Sequence, residues 1–301
     1  MPSLQSHLFR FIIRASTSRM RHGASVAQMR RMTENGTRFM RPPRGATVTL
    51  VEAGGVPARW LYAAGVPAER VILYIHGGGF TLGWNNQYYG MLHYLSKTAN
   101  ARILAIDYRL APEHPFPAAL DDCVAAYRWL LQQGIPPQQL AIAGDSAGGN
   151  LTLTTMLALR DAHDPLPAVA ACLSPGVDFT LSSETSTTPT PNDPVLSPAY
   201  IKTSTRDYLG DADPQNPLLS PIFADLHGLP PLLIQVGSDE LLLSDAQRIT
   251  ERARAADVEV ALTVWPHMWH VFQLFAPTLP EGRQAINAIG AFISTHVTPV
   301  A

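Results

Sequence analysis

Gly144-Asp145-Ser146-Ala147-Gly148 sets a serine two positions from a glycine on either side, the pattern G-x-S-x-G. An apolar run at 140–143 precedes it and a helical stretch begins at 147. A sharp strand-to-helix turn forces such a serine into a strained conformation, which only neighbours almost free of side chain tolerate. It also lifts Oγ clear of the sheet beside a helix N-terminus. Plain glycine turns carry the same pattern, but strand before and helix after favour a nucleophile. Upstream, His76-Gly77-Gly78-Gly79-Phe80 follows the apolar run 71–75. Glycines at a strand end leave backbone N–H groups bare. Those of Gly77, Gly78 and Gly79, with the N–H of Ala147, could stabilise the oxyanion of a tetrahedral intermediate. A phosphate loop would need Lys-Ser/Thr after the glycines or the G-x-G-x-x-G spacing, and the sequence has neither.

A serine nucleophile requires a base and a group that orients the base. The base is expected to be His270, in the loop after the last strand, with His267 as its rival. The acid is expected to be Asp239, immediately past the apolar run 232–236. Glu240 and Asp245 compete, and Glu240 should point away if Asp239 points in. His267 and His270 lie three apart, but neither HExxH nor an acidic partner makes them a metal pair. No metal and no cofactor are called for.

These residues must be held by a scaffold, and the pattern around them predicts one. Segments 47–52 and 58–62 look like an opening antiparallel pair. Continuous apolar runs at 71–75, 102–106, 140–143, 169–173 and 232–236, with a further run at 259–264, read as strands, most of them buried on both faces. Helical stretches at about 86–98, 118–132, 147–160, 244–255 and 283–294 alternate with them. This rhythm predicts an α/β fold: a mostly parallel sheet with helices on both faces. Between 178 and 219 the chain turns rich in Ser, Thr and Pro, including the run 182–189, yet carries a helix-like stretch at 198–208. Core strands flank it, so it reads as an excursion from one domain rather than a boundary.

In this order the motifs resemble the hormone-sensitive-lipase-like esterases of the α/β-hydrolase fold, bacterial family IV. The resemblance rests on His76-Gly77-Gly78-Gly79-Phe80, Asp107-Tyr108-Arg109-Leu110-Ala111-Pro112-Glu113, Gly144-Asp145-Ser146-Ala147-Gly148-Gly149, the strand end at Asp239 and His270-Val271-Phe272, over roughly 70–275. It implies one eight-stranded domain over 1–301 with a helical cap from about 1–40 and 180–215. It further implies a Ser146–Asp239–His270 triad, and oxyanion donors at Gly78, Gly79 and Ala147. His76 and Asp145 support the motifs, and Asp145 marks the Asp-Ser form of the elbow. The implied activity is hydrolysis of short acyl esters without a cofactor. Members acting on small lactones look closest by length and opening sequence, and the same machinery would serve an amide. Relatives that became small-molecule receptors lost the histidine, whereas His270 is present here. In the Asp107–Glu113 stretch, Arg109 and Glu113 are expected to form a structural ion pair, with Asp121 and Asp122 structural as well.

The composition agrees with a globular enzyme. Of 301 residues, 46% are hydrophobic and 15% charged, enough to bury a large core and too apolar for disorder. A net charge of −2 leaves no electrostatic footprint for nucleic acid. Cys123 and Cys172 form neither a CxxC pair nor a disulfide framework and read as small buried hydrophobes. No apolar run approaches the roughly 18–20 residues of a membrane span. The expected partner is a small ester in the cytoplasm, and a homodimer is compatible with the sequence. Residues 1–32 carry Arg10, Arg14, Arg19, Arg21, Arg30 and Arg31 and no acid, as a transit peptide would. The helical recurrence of Leu4, Leu8, Phe11 and Ile12 favours instead two amphipathic helices, with this apolar face packed over the pocket mouth.

Overall fold

Val71–Ile75 forms a strand, β3, with all five residues buried, because it lies between β4 (Arg102–Ile106) and β5 (Leu140–Asp145) under helices on both faces. Alternate side chains serve opposite cores. Leu73 and Ile75 join Leu120, Cys123, Leu151 and Ile249 on one face, while Ile72 and Tyr74 join Met91, Leu92, Ile286 and Ile289 on the other. The helices supplying the first set are α4 (Ala118–Gln132), α5 (Ala147–Asp161) and α7 (Leu243–Ala255). The second set comes from α3 (Tyr88–Ala99) and α8 (Pro280–His296). The computed structural model describes residues 2–21, 24–66, 70–182 and 193–297.

The sheet has eight strands in the order β1-β2-β4-β3-β5-β6-β7-β8. β1 (Ala46–Ala53) and β2 (Val56–Ala63) are antiparallel, as is β2 with β4. From β4 across to β6 (Val169–Leu173), β7 (Leu232–Gly237) and β8 (Val260–Trp265) every pairing is parallel. The predicted strands and helices all form, with ends displaced by at most three residues. The excursion between β6 and β7 contains α6 (Pro198–Leu209), capped by Ser197, which accepts from Tyr200 N. Most of the Ser/Thr-rich run at 182–189 lies outside the described residues.

The N-terminal segment is helical: α1 spans Leu4–Arg21 and α2 spans Val26–Thr37, the latter opened by a Ser25–Gln28 capping box. The expected packing face of α1 is wrong. Leu4, Leu8, Phe11 and Ile12 are 86%, 60%, 73% and 49% exposed, while Ile13 is 7% exposed. Ile13 and Phe9 pack against Met268, Trp269, Phe272 and Phe275, with Phe9 and Phe275 ring centroids 5.1 Å apart. The polar groups decide the matter. Ser3 bonds Glu281, Arg10 bonds Asp239, and Thr17 Oγ1 donates to the Pro194 carbonyl at 2.6 Å. The surface beneath α1 is part aromatic and part polar, so the mixed stripe fits it and the purely apolar one does not. Among the described residues no helix is long and apolar enough to cross a membrane.

The tightest constraint lies where β5 enters α5. A Cβ on Gly148 would stand 1.9 Å from the Ile75 carbonyl oxygen, and one on Gly144 2.3 Å from that of Gly148. Helix and strand can therefore approach only through glycine. Gly148→Ala should cost about 3 kcal/mol or more, since the obstacle is backbone rather than a movable side chain. Urea unfolding checks this, and an unchanged midpoint would mean that β3 and α5 separate at no cost.

Candidate active site

Ser146 occupies the β5–α5 turn at φ 53°, ψ −117°, a conformation costly for any residue with a Cβ. Its N–H donates to the Leu173 carbonyl at 2.7 Å, which helps hold the strained residue in place. Oγ lies 2.8 Å from His270 Nε2. His270 Nδ1 lies 2.8 Å from Glu240 Oε2. The remaining oxygen of Glu240 accepts from Ser174 Oγ at 2.9 Å and from the N–H of Gly237. Both side chains of the Glu240–His270 pair are buried.

The expected acid, Asp239, is corrected by this geometry. β7 ends at Gly237 and a turn over Ser238 and Asp239 follows, so lying immediately past the strand does not make Asp239 face the histidine. Asp239 is directed to Arg10 of α1 at 2.9 Å, and Glu240, one residue on and one methylene longer, reaches back to the histidine. The competing Asp245 is buried in the wall of a small space beside Ser146 and accepts from Val177 N at 2.9 Å. His267 is exposed at the surface, with φ 58°.

The glycine loop brings three of the four expected amides together. Among the described residues the N–H groups of Gly78, Gly79 and Ala147 have no partner within the chain. Gly77 is the exception and a second correction: its N–H is taken by Tyr88 Oη at 2.9 Å and Asp145 Oδ1 at 3.1 Å. Asp145 is buried and also accepts from the hydroxyls of Tyr74 (2.8 Å) and Tyr88 (3.0 Å). Burial raises its carboxyl to about 6 despite these hydrogen bonds. Asp145 thus moors the glycine loop to the β5–α5 turn. His76 packs flat on Tyr108, centroids 4.3 Å apart, with Nδ1 on the Gly77 carbonyl at 2.7 Å. Burial lowers its pKa, keeping the ring neutral.

The site opens into a cavity of about 260 Å³ lined by Ile13, Thr17 and Thr33 of the N-terminal helices, Leu82, Val195, Leu196, Tyr200, Leu274 and Phe275, together with Gly78, Ser146 and His270. A smaller space of about 60 Å³ shares Gly79, Ser146, Leu196 and Tyr200 with it and adds Ala147, Phe179 and Leu181. Tyr200 of α6 donates to the Gly78 carbonyl at 3.2 Å. The expected Arg109–Glu113 pair does not form. Arg109 pairs with Asp122 at 2.7 Å, one turn into α4, whereas Glu113 binds Arg30 of α2 at 2.7 Å. Arg30 also donates to the Thr81 and Ala111 carbonyls, and its hydrogen bonds hold the exposed Glu113 carboxyl down at about 2. The Asp122 role as a structural residue agrees with the sequence; the partner of Glu113 comes from a segment 83 residues away.

A family profile described as an alpha/beta hydrolase fold matches residues 72–274. An acetyl-hydrolase of Streptomyces hygroscopicus is 44% identical over 253 residues, covering 84% of this chain and 83% of its own. An esterase of the bacterial hormone-sensitive lipase family superposes with a TM-score of 0.94 at 43% identity, covering 99% of this chain and 100% of that one. The chain belongs to the hormone-sensitive-lipase-like esterases. Another solved esterase, EstE5 soaked with p-nitrophenyl butyrate, is 41% identical with a TM-score of 0.93, covering 98% of this chain and 99% of its own.

In this hormone-sensitive-lipase-like chain the electrostatics favour a protonatable base. Burial opposes charge on the His270 ring, but the hydrogen bond and charge of Glu240, with the charges of Asp193 and Asp145, outweigh it and raise its pKa above the ordinary 6.5. A base acts when neutral, so kcat/KM should rise with pH through an ionisation displaced upward from the ordinary imidazole value. Glu240→Gln should lower kcat on the order of 10⁴-fold and move that limb to lower pH. Asp239→Asn should lose no more than about tenfold. Steady-state pH profiles of the two variants check the assignment, and the reverse ranking would restore Asp239.

Proposed function

We propose that the chain is a serine carboxylic-ester hydrolase working through Ser146, His270 and Glu240. The observation that carries this reading is the continuous hydrogen-bonded chain from Ser146 Oγ through both ring nitrogens of His270 to Glu240, at 2.8 Å in each step. Ser146 Oγ attacks the ester carbonyl as its proton passes to His270 Nε2, and Glu240 stabilises the resulting imidazolium at Nδ1. The N–H groups of Gly78, Gly79 and Ala147 receive the oxyanion. His270 then protonates the departing alcohol, and water attacks the acyl-enzyme by the same route. Asp145 takes no proton in this scheme; it holds the glycine loop. A cytoplasmic setting suits the two buried free thiols, Cys123 and Cys172.

The substrates are short acyl esters. Spaces of about 260 and 60 Å³ around Ser146 sit at or below the lower end of ligand pockets, roughly 300 Å³. The butyrate ester soaked into EstE5 and the name of the Streptomyces relative support the same acyl size. Small lactones and amides are the competing substrates for this machinery, and a hydrolysis screen across the three classes ranks them. Ser146→Ala should retain the fold and lower ester hydrolysis on the order of 10⁴-fold or more. The wild type should hydrolyse a butyrate ester far faster than emulsified triolein. Unchanged turnover in the folded variant, or equal rates on both esters, would contradict the reading.

Helices α1, α2 and α6 act as the cap, since all three contribute to the walls of the two spaces. Removing residues 1–40 should leave the nucleophile turn intact while abolishing most activity, because Ile13, Thr17 and Thr33 would no longer close the cavity. Assay of the truncated and full chains on esters of graded bulk checks this; identical rates and ranking would make the segment dispensable.

A further inference from the structure

Glu240 stands between two residues that distant parts of the chain hold. Asp239 Oδ2 accepts from Arg10 Nη2 at 2.9 Å, and the Leu241 N–H donates to Asp193 Oδ2 at 3.3 Å. Arg10 belongs to α1, and Asp193 to the loop before α6. The same Arg10 guanidinium donates to the His267 carbonyl at 2.6 Å and lies 5.6 Å from the centre of the Trp269 ring. These residues flank His270 as Asp239 flanks Glu240. One side chain therefore spans the loop after β7 and the loop after β8. Backbone bonds Ser238 N to Trp265 O and Asp239 N to Met268 O already join the roots of the two loops, at 2.9 and 3.1 Å. Arg10 adds a tie from outside the sheet, through Asp239 and the His267 carbonyl.

We infer that Arg10 is a positioning residue that aligns Glu240 with His270. The inference rests on the Ser146–His270–Glu240 reading of the reaction. Both bonds come from Arg10 Nη2, whose two N–H groups are fixed in the rigid guanidinium plane and so meet a carboxylate and a carbonyl with little loss of freedom. The two partners are shielded, with side chains 22% and 15% exposed, so the pair is screened less than an open surface pair. Alignment matters because displacing a catalytic group by about 1 Å costs on the order of 10²-fold in rate. α1 also places Ile13 and Thr17 in the cavity wall, so the helix that closes over the substrate is the one that sets the acid against the base.

The test is steady-state hydrolysis of an activated aryl butyrate by the full chain. Arg10→Ala should lower kcat about tenfold and change KM less than about twofold. In a Glu240→Gln background, whose residual rate over water stays measurable, the same substitution should change kcat less than about twofold, because the bond it tunes is already lost. Arg10→Lys should recover part of the rate, a mobile ammonium replacing the planar guanidinium. Asp239→Asn removes the ion pair from the other end, reproduces the loss if Arg10→Ala fails to fold, and should not add to it when both are combined. Equal losses with and without Glu240, a loss confined to KM, or an unaltered kcat would overturn the inference. Wild-type kcat in Glu240→Gln alone would overturn the assignment of the acid and the inference with it. Failure of the Arg10 arm alone would leave that assignment standing.

Discussion

The approach of α5 to β3 governs the site. Helix and strand meet so closely that the Gly148 position leaves no room for a Cβ beside the Ile75 carbonyl, and the serine between them is driven to φ 53°. Only this turn raises Ser146 Oγ above the strand ends while aiming the N-terminus of α5, with the free N–H of Ala147, at the same point. The glycine loop after β3 arrives there because β3 and β5 are parallel neighbours. The Ser146 hydroxyl and the amides of Gly78, Gly79 and Ala147, unpartnered among the described residues, thus share one origin: adjacent strands ending together, with nothing but hydrogen at the closest contacts.

Around that point the protein concentrates buried carboxylates and offsets part of their cost with hydrogen bonds. Asp145 accepts two tyrosine hydroxyls and the Gly77 amide. Glu240 accepts from Ser174, Gly237 and His270. Asp193 accepts the amides of Val195, Leu196 and Leu241. A buried carboxylate without such donors would be strongly disfavoured. With them, three negative groups face one imidazole and raise its pKa. The arrangement favours the protonated His270 ring, the form that the proposed mechanism requires once the ring has taken the Ser146 proton.

Charged residues of the helices over the pocket act at a distance from the chemistry yet connect to it. Arg30 gathers Thr81, Ala111 and Glu113 beside the glycine loop. Arg10 gathers the loops after β7 and β8. The arginines that make residues 1–32 resemble a targeting segment are thus in part the pins by which α1 and α2 dock. An arginine count cannot distinguish the two uses, because the acids that pair with these residues lie 83 and 229 residues further along the chain.

The parallel sheet, the nucleophile turn, the glycine loop and His270 are legible from sequence because each depends on local pattern. Strands buried on both faces are continuously apolar, and a serine turn between strand and helix needs its own glycines. The acid is not legible in this way. Asp239 and Glu240 are adjacent, both acidic and both just past a strand, and only the turn after Gly237 decides which one faces the histidine. Gly77 likewise reads as one more bare amide until Tyr88 and Asp145 arrive to occupy it. The exposed stripe of α1 fails for the same reason: helical periodicity picks out the apolar face of Leu4, Leu8, Phe11 and Ile12, but the mixed surface at Trp269, Phe275 and Asp239 selects the one carrying Phe9, Arg10 and Ile13. Local spacing by itself determined which residues could react and on what scaffold. Long-range packing decided which of them face one another, because a side chain's direction beyond a turn depends on partners that sequence neighbours do not reveal.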